Sequence, residues 1–268
     1  MPFTPSHAVV ALPFVRTPLV PAAIAIGAMT PDLPLFVRGV LPRYAVTHDL
    51  AWIPLTIVIA LVLLLLWRCV LRPATRELVP GWLASRLPTE WDAGWRTAVK
   101  ETFPSWRGVF LLLASLAIGV VSHIVWDLFT HEGRWGVSAI PALAEPWGPF
   151  VGVKWLQHGS SAAGLAILAV WAGVSLARSS VNRIRRRLPG WIRWSWWASL
   201  PLLLGGALVW GVVTVGALTD EWTPAHLGYF VLPPACAAWG LLTVVVAVAI
   251  QLERTIRAPR VGRHPLHR

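Results

Sequence analysis

The chain has 268 residues, of which 56% are hydrophobic and only 13% are charged, and its formal net charge is +11. Several apolar stretches reach about 20 residues, the length that an α-helix needs to cross a bilayer. This composition predicts an integral membrane protein with no soluble domain. The positive charge does not predict a nucleic-acid partner, because the arginines cluster beside the apolar stretches and no recognised nucleic-acid-binding motif accompanies them.

The first apolar segment, residues 8–31, is interrupted by prolines and by Arg16. A single kinked span would leave Arg16 in mid-membrane and would place His7 and Asp32 on opposite sides. Two half-helices that enter and return avoid this cost, provided that protein covers their exposed backbone. We therefore predict a re-entrant helical hairpin that brings His7 and Asp32 together, with a single kinked span as the alternative. The N-terminus lacks the basic start and cleavage site of a signal peptide, so His7 is expected to stay on the mature protein.

Five further stretches are predicted to span the membrane as helices, from their hydropathy and flanking charge. They cover residues 50–68, 108–131, 158–177, 196–218 and 226–250. The expected fold class is therefore all-α: a polytopic membrane helix bundle with about five spanning helices plus the N-terminal hairpin.

Basic residues between these stretches predict the orientation of the chain in a bacterial cytoplasmic membrane. The segment 72–107 is basic and rich in tryptophan, which is typical of amphipathic helices at a membrane interface. The block 178–194 and the C-terminal tail are also basic. Because cytoplasmic loops carry an excess of Lys and Arg, all three are expected inside the cell. The connections 132–157 and 219–225 are poor in these residues and are expected on the outer face.

The helix predicted at 108–131 ends in a polar stripe within the sequence SHIVWDLFTH. His123, Asp127 and His131 are spaced at i, i+4 and i+8, so they share one face of that helix. Each costs free energy to bury in a bilayer without a partner. Imidazole and carboxylate are ligands of catalytic zinc, at about 2.0–2.2 Å. The stripe is about 12 Å long. This is too long for one ion, so either two ions bind or an end residue orients a ligand or transfers a proton.

Four more candidate ligands stand at the boundaries of predicted elements. They are His7 in TPSH, Asp32 in MTPD, His48 in VTHD and His158 in LQHGSS. We predict that they converge with the stripe on a divalent metal site near the outer face, with zinc as the expected metal and one or two ions bound. Residues 1–178 would then form a membrane-embedded metal-site domain, and residues 179–268 a basic loop, two further helices and a basic tail. An isolated His or Asp in a membrane helix often serves only as a hydrogen-bond partner between helices, and this is the alternative.

The order of these motifs resembles an uncharacterised bacterial membrane family, the domain of unknown function 4184. It is also similar to the predicted membrane-bound metal-dependent hydrolases and, more distantly, to zinc-dependent phospholipase C. The resemblance covers residues 1–178. It implies metal-ligand roles for His7, Asp32, His48, His123, Asp127, His131 and His158. Phospholipase C enzymes carry a glutamate one helical turn after the last histidine ligand, where this chain has Ala162, so a third metal ion is not expected.

The leading functional hypothesis is a metal-dependent hydrolase that acts on a phosphoester, such as a lipid or a lipid-linked substrate. A bound divalent ion would lower the pKa of its water toward about 7. Asp49, Glu132 or a candidate ligand that holds no metal could then act as general base, and Arg134 could bind phosphate. Alternatively, Asp49 caps the next helix and Arg134 snorkels to the interface. A transporter or ion-binding membrane protein, and a non-enzymatic scaffold stabilised by a metal, are the other functional classes that fit these residues.

Overall fold

The computed structural model describes residues 3–40, 42–184, 186–216, 218–219 and 222–256, and 79% of them are helical. The basic tail predicted at the C-terminus lies outside the described residues from 257 onward. The fold is an all-α bundle, which confirms the predicted fold class. In the described part of the chain, the only strands are β1 (Pro146–Trp147) and β2 (Phe150–Val151), which pair in an antiparallel hairpin.

The helices follow one another along the described chain with short connections. In chain order they are α1 (Pro21–Met29), α2 (Leu33–Phe36), α3 (Tyr44–Thr47), α4 (Ile53–Leu66), α5 (Arg72–Leu78), α6 (Gly81–Ala84), α7 (Trp95–Thr102), α8 (Trp106–Thr130), α9 (Trp135–Ala139), α10 (Gly152–Arg178), α11 (Gly190–Val215) and α12 (Pro224–Ile256). The 3-10 helices are Thr4–Phe14, Thr30–Asp32, Leu50–Trp52, Thr89–Asp92 and Pro141–Ala144, and a π-helical turn covers Trp67–Leu71.

Within these residues, five stretches of helix are long and apolar enough to cross a membrane. They are Leu50–Leu78, Trp106–Thr130, Gly152–Arg178, Gly190–Val215 and Pro224–Ile256. A helix suits the bilayer because it satisfies its backbone hydrogen bonds internally. The chain is therefore a membrane protein, as its composition predicts.

Each of these spans is longer than hydropathy predicts, and the fourth covers Gly190–Val215 rather than residues 196–218. The first continues past residue 68 to Leu78, because a π-helical turn carries it through Arg68, whose guanidinium donates to the Thr102 hydroxyl (3.0 Å). The third begins at Gly152 rather than at residue 158, and the last ends at Ile256 rather than at residue 250. Polar residues at these ends lower the local hydropathy without ending the helix.

The N-terminal segment forms the predicted hairpin. The 3-10 helix Thr4–Phe14 and α1 pack against each other on either side of a turn at residues 15–20. Arg16 lies at this turn with an exposed side chain. The amide of Val20 donates to the hydroxyl of Ser115 (2.9 Å), which lies in the middle of α8. The hairpin therefore turns halfway along a spanning helix and returns, so that both of its ends lie on one side.

Facing glycines let α1 approach α8 closely. A Cβ atom added to Gly27 would come within 2.5 Å of the Leu116 carbonyl oxygen, and one added to Gly119 would clash with the Ile24 carbonyl oxygen. Small residues at such positions are typical of helix interfaces in membranes, because they allow backbones to pack together. This packing holds the end of α1 against the second half of α8.

The basic segments meet at one end of the bundle. The Arg254 guanidinium, near the end of α12, donates to the Pro73 carbonyl oxygen (2.8 Å). The backbone amide of Asn182, between α10 and α11, donates to the Ser85 carbonyl oxygen (2.8 Å). The segments that the positive-inside rule assigns to one side of the membrane are therefore neighbours in space. The opposite end of the bundle carries the last turn of α8 and the first turn of α10.

Candidate metal centre

Three parts of the chain bring four buried side chains together. Asp32 ends the 3-10 turn that follows α1, His48 follows α3, and His123 and Asp127 lie one turn apart on α8. Their relative exposures are only 1%, 7%, 0% and 4%, in that order. One ligand atom from each residue lies within 4.8 Å of the other three. We call these four residues the ligand cluster.

The distances in the ligand cluster match those around a single ion. The Nε2 atoms of His48 and His123 are 3.2 Å apart, and they lie 3.4 and 3.5 Å from Oδ2 of Asp127. Their distances to Oδ1 of Asp32 are 3.8 and 3.6 Å. A tetrahedral zinc ion with bonds of about 2.1 Å separates its ligand atoms by about 3.4 Å. The four side chains could therefore hold one such ion with small adjustments.

Hydrogen bonds fix both imidazoles in the form that binds a metal. Nδ1 of His123 is 2.6 Å from the Ala28 carbonyl oxygen, and Nδ1 of His48 is 3.0 Å from the Tyr44 carbonyl oxygen. A carbonyl oxygen only accepts, so each Nδ1 carries a proton, and in the neutral ring the lone pair of Nε2 faces the cluster. Two such lone pairs at 3.2 Å repel each other unless a metal ion or a proton lies between them. Metal-binding histidines usually make such a hydrogen bond from the ring nitrogen that does not bind the metal.

The two carboxylates each have one oxygen held and one oxygen without a partner. Thr4 Oγ1 donates to Oδ2 of Asp32 (2.6 Å), and the Tyr44 hydroxyl donates to Oδ2 of Asp127 (3.3 Å). Burial raises the pKa of Tyr44, so its hydroxyl keeps the proton that it donates. Oδ1 of both aspartates is buried with no hydrogen-bond partner among the described residues. An unsatisfied buried carboxylate oxygen is costly, and in Asp32 it is this oxygen that faces the two imidazoles, so a cation in the cluster would satisfy it.

His7 and His131 flank the ligand cluster without joining it. The ring of His7 stacks on that of His123 with centroids 4.0 Å apart. Nδ1 of His131 lies 3.6 Å from Oδ2 of Asp127. Nε2 of each of these rings is buried without a partner in the described chain. The hairpin therefore delivers His7 and Asp32 to one place, as predicted.

The predicted stripe on α8 is shorter than its spacing implies. The helix ends at Thr130, and His131 has an extended backbone (φ −126°, ψ 134°), so it leaves the helix face that carries His123 and Asp127. The prediction that His131 shares one helix face with His123 and Asp127 is therefore wrong, while a role for it in orienting a ligand or transferring a proton stays a prediction. His123 and Asp127, one turn apart on α8, both belong to the ligand cluster. His131 lies beyond the helix end, with its Nδ1 3.6 Å from Oδ2 of Asp127.

His158 does not reach the ligand cluster, so this predicted ligand is corrected. Because α10 already begins at Gly152, the helical period decides which residues face inward. Gln157 is buried, and its side-chain amide donates from Nε2 to the Thr130 carbonyl oxygen (3.1 Å). His158 lies about 100° further round the helix, is exposed, and contacts the ring of Phe150.

The three candidate catalytic residues also lie outside the cluster. Asp49 is exposed and accepts the Ala51 amide (2.9 Å), which makes it a cap of the following 3-10 turn. Glu132 is exposed and pairs with Lys154 (3.3 Å). Arg134 is exposed at the start of α9. The capping alternative for Asp49 is the one observed, and the catalytic roles gain no support from these contacts.

Sequence reasoning missed Thr4 and Tyr44. Tyr44 lies four residues before His48, and its ring stacks on the imidazole with centroids 3.7 Å apart. That one-turn spacing is a signal that could have identified it. Thr4 lies in the TPSH motif three residues before His7, but its role depends on the fold of the hairpin and could not be read from spacing.

A family comparison covers almost the whole chain. Residues 1–248 match the model of the family described as Domain of unknown function (DUF4184). The match extends far beyond residue 178, where the motif resemblance ends, and takes in most of the last two spanning helices. No curated protein and no solved structure matches the chain. Since the family model covers most of the sequence, and includes every residue of the ligand cluster, the chain belongs to the DUF4184 family.

Proposed function

We propose that the protein is a membrane metallohydrolase that cleaves a phosphoester of a lipid or lipid-linked substrate at the outer leaflet. The observation that carries this proposal is the buried ligand cluster, in which two imidazole lone pairs and two carboxylates converge. Zinc held by such nitrogen and oxygen ligands supplies Lewis-acid chemistry for hydrolysis. The outer face follows from the basic segments at the opposite end of the bundle.

Asp32 is the carboxylate of the cluster that lies farther from the two imidazole nitrogens, so we place the substrate position beside it. Its Oδ1 lies 3.8 and 3.6 Å from the two imidazole nitrogens, farther than Oδ2 of Asp127 at 3.4 and 3.5 Å. Catalytic zinc sites keep three protein ligands and one open position. His48, His123 and Asp127 would supply those three ligands. Asp32, held by Thr4, would border the open position and accept a proton there.

His131 is placed to exchange a proton with Asp127 at the edge of the cluster. Its side chain is 20% exposed, whereas that of Asp127, 3.6 Å away, is 6% exposed. Histidine is the commonest general acid or base in enzymes. We therefore assign proton transfer to His131 rather than to Asp49 or Glu132, each of which has another partner.

An apolar cavity beside the cluster supports a substrate with a hydrocarbon chain. The cavity has a volume of about 400 Å³ and lies between the N-terminal 3-10 helix, α8 and α10. Its lining includes Ser6, His7, Ser122, Trp126, Ser160 and Ile167. Because the ring of His7 stacks on that of His123, the cavity adjoins the ligand cluster at this point. An acyl or prenyl chain in the cavity would bring its phosphate toward the cluster.

A direct test uses the purified full-length protein in lipid nanodiscs. Metal content is measured by mass spectrometry, and turnover is measured on phosphomonoesters, phosphodiesters and phospholipids. We expect zinc-dependent hydrolysis that is lost in Asp127→Asn and kept in His226→Asn, since His226 is exposed at the start of α12. Bound zinc with no turnover of any phosphoester would contradict the proposal.

A structural metal site is the second candidate, and one observation favours it. The protein supplies four ligand groups, and closed four-ligand sets are typical of structural zinc. In that case chelation lowers the melting temperature of the protein while no substrate is turned over. Asp32→Asn separates the two candidates, because in the hydrolase it removes turnover with zinc retained, whereas in a structural site it mainly weakens zinc binding.

A further inference from the structure

A second cavity lies at the basic end of the bundle, opposite the ligand cluster. It has a volume of about 390 Å³. Its walls are Pro80, Gly81, Arg186, Arg193, Trp194 and Trp197. Two of these six residues are cationic and two are aromatic, and none is acidic. We call this space the arginine cavity.

The charges around the arginine cavity are unbalanced. Arg193 lies in the first turns of α11, a helix with no acidic residue in its first turn and no side-chain cap. A cation is disfavoured there by the helix dipole. The nearby carboxylate of Glu77 is already engaged, since Oε2 accepts the Arg187 amide (3.0 Å) and Oε1 lies 3.5 Å from Nη2 of Arg254. Glu77 also attracts Arg186, so this one carboxylate is shared between Arg186 and Arg254, and the cavity keeps a net positive charge.

Hydrogen-bond donors in the arginine cavity are also unused. Arg186 donates from Nη2 to the Val79 carbonyl oxygen, while its Nε is buried with no partner among the described residues. Arg193 donates from Nε to the Glu77 carbonyl oxygen (3.0 Å), so its described bond leaves the Nη groups for a ligand. A guanidinium fork matches the oxygens of a phosphate.

Exposed tryptophans identify where the phosphate would come from. Trp194 is 72% exposed and Trp191 is 69% exposed, and both lie within the first two turns of a spanning helix. Tryptophan is enriched at the level of lipid headgroups. Anionic lipids are abundant on the cytoplasmic leaflet, to which the basic segments assign this end. A lipid phosphate is therefore a better occupant than a soluble ion.

We propose that the arginine cavity binds the headgroup phosphate of an anionic membrane phospholipid, with Arg186 and Arg193 as its ligands. This site is independent of the ligand cluster and of the proposed hydrolase activity. Binding there would tie the loop before α11 to the region that follows α5, because Arg186 and Arg193 already contact Val79 and Glu77.

The test measures lipid binding to the full-length protein by native mass spectrometry from neutral detergent. The probes are dioleoyl phosphatidylglycerol, dioleoyl phosphatidylcholine and inorganic phosphate. We expect one phosphatidylglycerol to bind about tenfold or more tightly than phosphatidylcholine. Arg193→Lys keeps the charge but removes the fork, and should weaken binding severalfold, and Arg186→Ala should weaken it about tenfold or more.

Arg183→Ala is the matched control, since Arg183 is an exposed arginine of the same loop outside the cavity. We expect it to leave the affinity for phosphatidylglycerol unchanged. Equal losses in Arg183→Ala and Arg186→Ala would overturn the proposal in favour of general surface charge. Equal affinity for both lipids, or inorganic phosphate binding as tightly as phosphatidylglycerol, would also overturn it. Size-exclusion profiles confirm that each variant is folded.

Discussion

Replacing His123 by Asn separates metal ligation from packing. His123 is fully buried, and its Nδ1 is 2.6 Å from the Ala28 carbonyl oxygen. The amide nitrogen of asparagine can occupy the place of Nδ1 and keep this bond, while nothing replaces the Nε2 that faces His48 and Asp127. The variant should therefore fold and lose one ligand of the cluster.

The expected effect is large. Removing a residue that hydrogen-bonds to a metal ligand lowers metal affinity about 10–100-fold. Removing the ligand itself should therefore lower metal affinity more than about 100-fold. At free zinc about 100-fold above its dissociation constant, zinc stabilises the native protein by about 2.7 kcal/mol. The same zinc concentration would stabilise His123→Asn by less than about 0.5 kcal/mol. The zinc-dependent rise in melting temperature should therefore almost disappear.

The assay is a zinc titration of each purified variant, followed by melting temperature and by metal content after gel filtration. His158→Asn is the matched control, because the same substitution is made at an exposed histidine on α10. We expect it to bind zinc as the unmodified protein does. If folded His123→Asn keeps the affinity and stoichiometry of the unmodified protein, the assignment of the ligand cluster is refuted.

Three further predictions test other parts of the structure. Thr4→Val removes the 2.6 Å hydrogen bond from Thr4 Oγ1 to Asp32 and should lower phosphoester turnover about 10–100-fold with zinc affinity nearly unchanged, because Asp32 borders the open position, whereas unchanged turnover would show that this contact does not orient Asp32. Gly119→Ala should lower stability by about 1–3 kcal/mol or more in thermal melts because it pushes α1 from α8, while Gly173→Ala, with open space around it, should not; equal melting temperatures would contradict the close packing. In a background without native cysteines, a cysteine at Ile140 should react with an impermeant reagent added outside cells and one at Arg183 should not, and the reverse pattern would move the ligand cluster to the cytoplasmic side.

The hairpin is the part of the fold that sequence reasoning predicted best. Arg16 within an apolar stretch makes a single span costly, and the prolines around it allow a turn. These are local properties, so they can be read from sequence. The close contact between Gly27 and Gly119 could not, because it depends on which helix α1 meets.

The ligand cluster was predicted in part because its members occupy short motifs at element boundaries. His48, His123, Asp32 and Asp127 do converge. His158 does not, since an apolar window placed the start of α10 at 158 and hid the inward position of Gln157. Because α10 begins at Gly152, six residues before the predicted start, its helical period places Gln157 on the inward face and His158 on the outward face.

The outer contacts of the cluster could not be predicted from residue type. The proton on Nδ1 of His123 is fixed by a backbone carbonyl of Ala28, which any residue would supply. The hydroxyl of Thr4 reaches Asp32 only because the hairpin closes. Contacts of this kind come from tertiary packing and leave no periodic signal in the sequence.

X-ray absorption spectroscopy of the zinc-loaded protein tests the metal centre most directly. We expect one zinc per chain, with nitrogen and oxygen ligands at about 2.0–2.1 Å. We also expect the outer-shell scattering of two imidazoles, one of which is lost in His123→Asn. Zinc bound without imidazole scattering, or a spectrum that is unchanged by that substitution, would contradict the assignment of the ligand cluster.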